Sequence, residues 1–448
     1  MTTKQTSLQN TVVIIGGGMA GLSAAVHAIH KGKKPLVLEG ARFAGGRVRS
    51  FYAPDFGSML DNGQHVLAGA YHATREYLGI IGTASDVFFQ KGFSAQFIMP
   101  SGKPFLLKAA PLPAPLHFLW PLLRRRRHHQ IPFSDLVKFW FRCWMRPEAE
   151  VESQTVEKWL AEGGVSEKLT AMLMEPLCLA TLNTPVKQAS AALLRRTARL
   201  SFFHSYPSSG LGIPQKWLGD ILVEPAVRFI RENGGEIQLF NPARKLITDG
   251  NRVTLLETRN EMIQAENVVL ALPPHRLAQL LQNSPDPRWR ALREKAEAFS
   301  YHIIMTVNIK LNRPIEGPFP KAFVNSPLQW LFPHPEQDGQ TYGYSIVVSA
   351  AERWANAEKE EVLNAVMNEL LRSRLLSARD KPEVLAYKII REKSATISQT
   401  PALQQARPAP ATPFSNTVLA GDWIQTALPA TIESAVVSGR DAVNLLFG

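Results

Sequence analysis

Cysteine is almost absent. The 448-residue chain carries two, Cys143 and Cys178, which excludes a disulfide framework, a cysteine-based zinc cluster and a CxxC redox pair. That usage suits a reducing compartment, and no metal site is expected. No apolar run reaches the ~20 residues of a bilayer-spanning helix. Residues 1–10 are polar and lack the apolar stretch of a secretory signal, so a cytoplasmic chain is expected. Neither an internal repeat nor a low-complexity tract appears, which excludes fibrous and disordered classes. Acids are in deficit, 38 against 50 basic residues, for a net charge of +12. No nucleic-acid recognition motif accompanies that charge, so nucleic acid is not an expected partner. The remaining composition, 45% hydrophobic and 20% charged, is globular and long enough for two or three domains and a large ligand cavity.

The clearest pattern comes first. Thr11-Val12-Val13-Ile14-Ile15 reads as a buried strand and runs into Gly16-x-Gly18-x-x-Gly21. A helix is expected over residues 22–30 and a second strand over 35–38, ending at Glu39. This is the β-α-β frame of a dinucleotide site. The first glycine allows the tight turn, the second lets a pyrophosphate approach the backbone, and the third lets helix and strand pack closely. Glu39, at the end of the second strand, can accept the ribose hydroxyls.

Past Glu39 stand Arg42 and then Gly45-Gly46-Arg47. A glycine doublet so near the ribose acid resembles the flavin-dependent amine oxidase and phytoene desaturase superfamily, where it lies against the FAD diphosphate. That superfamily often has an arginine two residues after the acid. Here Ala41 holds that place and Arg42 follows it. Residues 267–274, with Ala271 before a proline turn, resemble a second superfamily segment near the cofactor. Residues 418–423, with Gly421-Asp422, and residues 429–439, with Thr431-Ile432, resemble its C-terminal FAD motif. The resemblance implies FAD held by Gly16, Gly18, Gly21, Glu39, Arg42, Gly45, Gly46, Arg47, Ala271, Gly421, Asp422, Thr431 and Ile432. Asp422 would accept a ribityl hydroxyl, and a helix dipole would polarise the pyrimidine end of the flavin. The expected fold is α/β, a Rossmann-type FAD-binding domain of the GR2 kind with an inserted α+β substrate domain. The FAD-binding domain is expected over 1–80, 205–275 and 412–448, and the substrate domain over 81–204 and 276–411.

Amine oxidases of this superfamily usually place an aromatic residue two positions before the glutamate of the C-terminal helix. Here Thr431 precedes Glu433 at that offset, so the substrate-amine cage is incomplete. Asp61-Asn62-Gly63-Gln64-His65 and residues 428–435 are most similar to the squalene-associated FAD-dependent desaturase family, the hydroxysqualene dehydroxylases of hopanoid biosynthesis. The resemblance implies reduction of hydroxysqualene to squalene with loss of water, hydride coming from reduced flavin while an acid protonates the departing hydroxyl. His65 and Asp61 are the candidate catalytic acid pair, and His204 and Tyr206 are weaker candidates. Apolar residues within 137–203 line either a polyprenoid tunnel or an ordinary helical core. A carotenoid-type desaturase or isomerase, with hydride moving the other way, and a non-catalytic prenyl-binding escort are the alternatives. No second dinucleotide fingerprint is present, so a separate electron donor is expected.

Residues 109–146 hold Arg124, Arg125, Arg126, Arg127, Lys138, Arg142 and Arg146 against one acid, Asp135. Helical spacing over 133–146 gathers the basic residues on one side and Phe133, Val137, Trp140, Phe141, Trp144 and Met145 on the other. The pattern suits an interfacial helix on an anionic membrane surface. The chain is therefore expected to be peripheral, on the inner face of the cytoplasmic membrane. Residues 57–70 read as loop, 207–214 as a turn-rich hinge, 301–311 as a strand and 401–413 as a linker.

Overall fold

The computed structural model describes residues 10–124, 131–145, 147–335, 339–377, 379 and 382–448. A five-stranded parallel sheet lies at its centre, ordered Glu236–Gln238, Lys34–Leu38, Thr11–Ile15, Asn267–Leu270, Thr417–Leu419. The strands are short and almost wholly apolar, as a parallel sheet covered on both faces requires. Val12, Ile14, Val37, Val269 and Val418 pack under helices Met19–His30 and Ile432–Phe447. The alternate residues Val13, Ile15, Leu36, Leu38, Val268 and Leu270 join a second core. That core is roofed by the three-stranded meander Ala243–Asp249, Arg252–Thr258, Met262–Gln264 and by helix Pro274–Gln282. The first and last helices meet at Gly439, where a Cβ would fall 2.2 Å from the Ala20 carbonyl.

A seven-stranded sheet forms the second layer, ordered Val384–Ile397, Tyr301–Leu311, Tyr342–Ser349, Trp330–Pro333, Lys321–Phe323, Ser94–Ile98, Pro104–Lys108. Its pairings are antiparallel except that of Lys321–Phe323 with Ser94–Ile98. Helices between residues 116 and 202 share one apolar core with its far end.

Two expectations are corrected. Residues 57–70 are not all loop. Ser58–Asp61 pairs with Ser50–Ala53, and Leu67–Ala68 pairs with Leu211–Pro214, inside the supposed hinge. Strands of two to four residues are too short to show alternation. The supposed linker opens as helix Pro401–Ala406, its first turn capped by the Thr400 hydroxyl, which accepts from the Leu403 amide. Proline at the first helical position costs no hydrogen bond.

Candidate functional site

Four sheet strands end on one edge, and the sequence-marked residues follow those ends: 16–18, Glu39, Ala271 and 421–422. This is the crevice where open α/β sheets take their ligands. The three loop glycines divide by role. Gly16 has a φ of +110°, and a Cβ there would lie 2.4 Å from the Ala271 carbonyl oxygen. A Cβ on Gly21 would lie 1.8 Å from the Gly16 oxygen. Both are demanded by packing. A Cβ on Gly18 would meet nothing within 4 Å, so that position is open for a ligand alone. Helix Met19–His30 starts there with no side-chain cap and no acid in its first turn, leaving amides for an anion. Glu39 braces the loop, Oε2 accepting from the Gly17 amide at 2.7 Å and Oε1 from the Ala41 amide at 2.7 Å. The Gly45 amide donates to the Gly17 carbonyl at 2.7 Å, and a Cβ on Gly46 would lie 3.5 Å from the Gly18 Cα, so the glycine doublet lies against the loop.

Arg47 ties both chain ends together. Nη2 donates to buried Asp422 at 2.8 Å and Nη1 to the Ala395 carbonyl at 2.7 Å. Burial acts to lower this guanidinium, but the charge and hydrogen bond of Asp422 prevail and hold it above the ordinary arginine value. Next to Asp422, the Gly421 amide donates to Ser438 Oγ at 2.8 Å. The Thr431 hydroxyl caps the last helix by accepting from the Ser434 amide, and buried Ile432 begins that helix. Arg42 lies apart from the phosphate loop. It is exposed, its guanidinium 5.1 Å from the Phe240 ring centre beside Arg259 at 3.9 Å, and no hydrogen bond joins it to the phosphate loop.

The candidate acids separate. Asp61 is buried and works as a cap supplied from a distance. Oδ1 accepts from the Ser50 hydroxyl at 2.5 Å and the Leu218 amide at 3.0 Å, while Ser50 Oγ accepts from the Gly219 amide at 2.8 Å. These amides open the π-turn Gly219–Val223 that leads into helix Glu224–Glu232. Burial raises the Asp61 carboxyl to about 7, partly opposed by its hydrogen bonds. His65 moves the other way, to about 4, through burial and the positive charge of Arg47. At neutral pH the imidazole is uncharged. Its Nε2 and Thr306 Oγ1 both flank Gly63, where a Cβ would lie 3.8 and 4.0 Å from them.

His204 and Tyr206 stand in a turn. His204 shares a 3.3 Å hydrogen bond with Ser208, and the Tyr206 ring packs on Gly92 and lies 6.1 Å from the His117 ring. Other polar groups escaped the sequence reading. Asn62 Nδ2 donates to Glu392 Oε2 at 3.2 Å, and the Tyr301 hydroxyl shares a 2.9 Å hydrogen bond with His275 Nδ1. The charge of Arg47 acts on both Tyr301 and His275. Asn62 lay inside the quoted motif and His275 next to the proline turn, whereas nothing local marked Glu392. Glu433 is buried and caps helix His72–Ile80, accepting from the amides of Ala73 and Thr74 at 2.9 and 2.8 Å and from the Thr74 hydroxyl at 2.6 Å.

An apolar groove of about 270 Å³ lies between helices Leu116–Arg124 and Phe133–Trp144, with Leu112, Leu119, Leu136 and Val137 among its walls. Leu116, Trp120, Phe133, Phe141 and Met145 are each more than half exposed. One residue of the expected basic stripe is inward: Arg142 is buried against Gly163, while Lys138 stays exposed and donates to the Gly164 carbonyl at 2.8 Å. Trp140 also turns inward, its ring 4.7 Å from that of Phe203. Arg124 is exposed, while Arg125, Arg126, Arg127, Arg146 and the side chains of Cys143 and Trp144 lie outside the described residues. Among the described residues, no helix is long and apolar enough to cross a membrane, and no cluster of three or more metal-ligand side chains exists.

Comparison with known proteins agrees with this geometry. The model of the flavin containing amine oxidoreductases matches residues 19–446. A hydroxysqualene dehydroxylase of Rhodopseudomonas palustris is 30% identical over 444 residues, 98% of this chain and 99% of that protein. A 15-cis-phytoene desaturase of Arabidopsis thaliana is 27% identical, over 96% of this chain and 78% of that protein. In fold, the chain matches an oxidoreductase from Methanosarcina mazei with a TM-score of 0.73 at 14% identity, covering 97% of this chain and all of the other. It matches cyclohexylamine oxidase from Brevibacterium oxydans with a TM-score of 0.69 at 17% identity, covering 98% of each. The open approach at Gly18, the uncapped helix start and the Arg47–Asp422 clamp fit FAD, and the chain is an FAD-dependent oxidoreductase. It belongs to the flavin-containing amine oxidoreductase family, in the branch that holds the hydroxysqualene dehydroxylases.

Proposed function

We propose that this enzyme reduces a C30 allylic polyprenyl alcohol, hydroxysqualene, to squalene. The carbon–oxygen bond breaks, a carbon–hydrogen bond forms at the same carbon, and the hydroxyl leaves as water after taking one proton. When bound, reduced FAD supplies the hydride and leaves the reaction oxidised. A separate donor then restores the two electrons.

The observation that carries this reading is the 30% identity to a hydroxysqualene dehydroxylase over 98% of the chain. The site supports it. Thr431 stands where amine oxidases of this superfamily usually hold an aromatic residue, and its hydroxyl caps the last helix. The motif Asp61–His65 offers an uncharged imidazole that feels the charge of Arg47, and a carboxyl that titrates near neutrality and is hydrogen-bonded to Ser50 and Leu218. The allylic position stabilises positive charge developing as the hydroxyl departs, so a modest acid suffices. Asp61 holds a proton closer to neutral pH and is the better proton source of the pair. His65 acts as an uncharged hydrogen-bonding group.

The exposed aromatic face around the groove serves, in this proposal, to rest the enzyme on the anionic cytoplasmic leaflet, from which substrate and product exchange. A carotenoid-type desaturation is the second reading, favoured by 27% identity to a phytoene desaturase. Anaerobic incubation of chemically reduced holoenzyme with hydroxysqualene tests both. Squalene formed in step with flavin oxidation supports the proposal. No squalene here, with substrate dehydrogenation by the oxidised enzyme, reverses the direction of hydride transfer.

A further inference from the structure

A buried cation behind the C-terminal cofactor loop has no carboxylate of its own. Arg407 is 2% exposed and follows helix Pro401–Ala406. Its hydrogen bonds go to neutral oxygens, Nη1 to the Leu428 carbonyl at 2.8 Å and Nη2 to Gln399 Oε1 at 3.3 Å. Its Nε is buried with no hydrogen-bond partner among the described residues. The carboxylate acting on it is Asp422, already paired with Arg47 at 2.8 Å, and the other charge nearby is a cation, Arg196. Burial pulls the guanidinium down to about 10, and at neutral pH it keeps its charge.

Two guanidiniums therefore share one carboxylate at the edge that takes the cofactor. An uncompensated buried charge is expensive, and retaining one implies an anion to complete the site. The same loop holds a second positive feature. Helix Ile432–Phe447 begins at its end, and the start of a helix carries partial positive charge. Gln399 ties the two together, since its Oε1 accepts from both Arg407 and the Ala430 amide. Residues 408–411 run beside 418–425, bonded from Gln425 to Pro408 and from Leu419 to Pro410, so Arg407 is fixed relative to Asp422.

We propose that Arg407 is a positioning residue that holds the 428–430 loop and, by its charge, favours the reduced, anionic isoalloxazine ring of FAD over the oxidised, neutral ring. The proposal rests on FAD occupying this site and not on the identity of the substrate. It supplies a reason for hydride to leave this flavin slowly until an acceptor with cation character is present. Reduction adds two electrons and one proton to the flavin, leaving one negative charge, and Arg407 with the helix start is the counter-charge. A unit charge at a separation on the order of 10 Å in protein is worth roughly a tenfold change in equilibrium.

The test uses full-length holoenzyme without substrate. Arg407→Gln keeps much of the hydrogen bonding and removes the charge, while Arg407→Lys keeps the charge. Two quantities are read, the two-electron midpoint potential by dye equilibration and the dissociation constant of sulfite, which adds to oxidised flavin and leaves it negatively charged. Arg407→Gln should weaken sulfite binding about tenfold or more and lower the potential by the equivalent, about 30 mV for a two-electron couple. Arg407→Lys should stay within about twofold of wild type in sulfite affinity. If Arg407→Gln retains wild-type potential and sulfite affinity, the residue only braces the loop and the proposal falls. Should Arg407→Gln purify without flavin, Arg407→Lys decides alone, and a tenfold loss of sulfite affinity there would make geometry, not charge, the cause and overturn the proposal. Wild-type potential in either variant leaves the substrate assignment untouched.

Discussion

Gly18 has a backbone that any residue adopts (φ −77°, ψ −177°), and a Cβ added to it meets nothing within 4 Å. The fold therefore accepts a side chain that the diphosphate cannot. Gly18→Val should purify folded and colourless, and full flavin absorbance in the variant would refute the cofactor site. The turn and strand-end placements of Gly16, Gly18, Glu39, Gly45, Gly46 and Asp422 were legible in sequence because each is set by its immediate neighbours. Asp61 and Glu433 were not, since each caps a helix far off in the chain, at Leu218 and at Ala73–Thr74. The acid question follows from the same placement. A general acid works while protonated, so its rate falls as pH rises through its pKa. If Asp61 at about 7 supplies the proton, the reductive half-reaction should hold below pH 7 and decline above it. If His65 at about 4 supplies it, the decline comes three units lower. His65→Ala should then lose about 10²-fold or more only in the second case, with flavin content unchanged. Stopped-flow oxidation of reduced enzyme by substrate across pH 4–9 separates the two.

Helices and long strands showed themselves by periodicity, as in Met19–His30, Phe133–Trp144 and Tyr301–Leu311. The hairpin Ser50–Ala53/Ser58–Asp61 did not, because four residues cannot display an alternation. Amphipathicity also misled in part. The basic edge of Phe133–Trp144 read as a lipid-facing charge row, yet Lys138 and Arg142 anchor that helix on the turn at 163–164. What remains for a membrane is apolar, on the side of Trp120, Phe133 and Phe141, with exposed Arg124 ending the helix that carries Trp120. Two kinds of force should then be separable. Each basic residue near an anionic leaflet contributes roughly 1 kcal/mol and is screened by salt. Replacing residues 124–127 with glutamine should weaken binding to anionic liposomes steeply at low salt. Trp120→Ser with Phe141→Ser should weaken it at high salt as well, because apolar burial is not screened. Sedimentation with liposomes measures both. Equal binding of the glutamine variant and wild type would leave this surface as ordinary solvated protein.

The whole molecule is organised by closure of the chain on itself. Residues 11–47 form one wall of the cofactor crevice and residues 417–432 the other, and Arg47–Asp422 bridges 375 positions of sequence. Helices Met19–His30 and Ile432–Phe447 cross backbone to backbone at Gly439, so the ends of the chain form one packing unit. A ligand that touches both walls binds the folded chain and not the unfolded one. Stabilisation then grows as the logarithm of free FAD, about 2.7 kcal/mol at one hundred times the dissociation constant. Deflavinated enzyme should melt at a lower temperature than holoenzyme, and added FAD should raise that temperature progressively. The same titration on Gly18→Val should give no rise, since that variant keeps every contact between the walls and loses only the ligand. Hydrogen exchange adds a spatial check. Amides at 16–22 and at 421–434 should gain protection together on FAD binding, although almost the whole chain separates them. Protection confined to residues 16–22 would mean that the cofactor rests on one wall alone, and the Arg47–Asp422 bridge would then be a structural tie with no part in holding it.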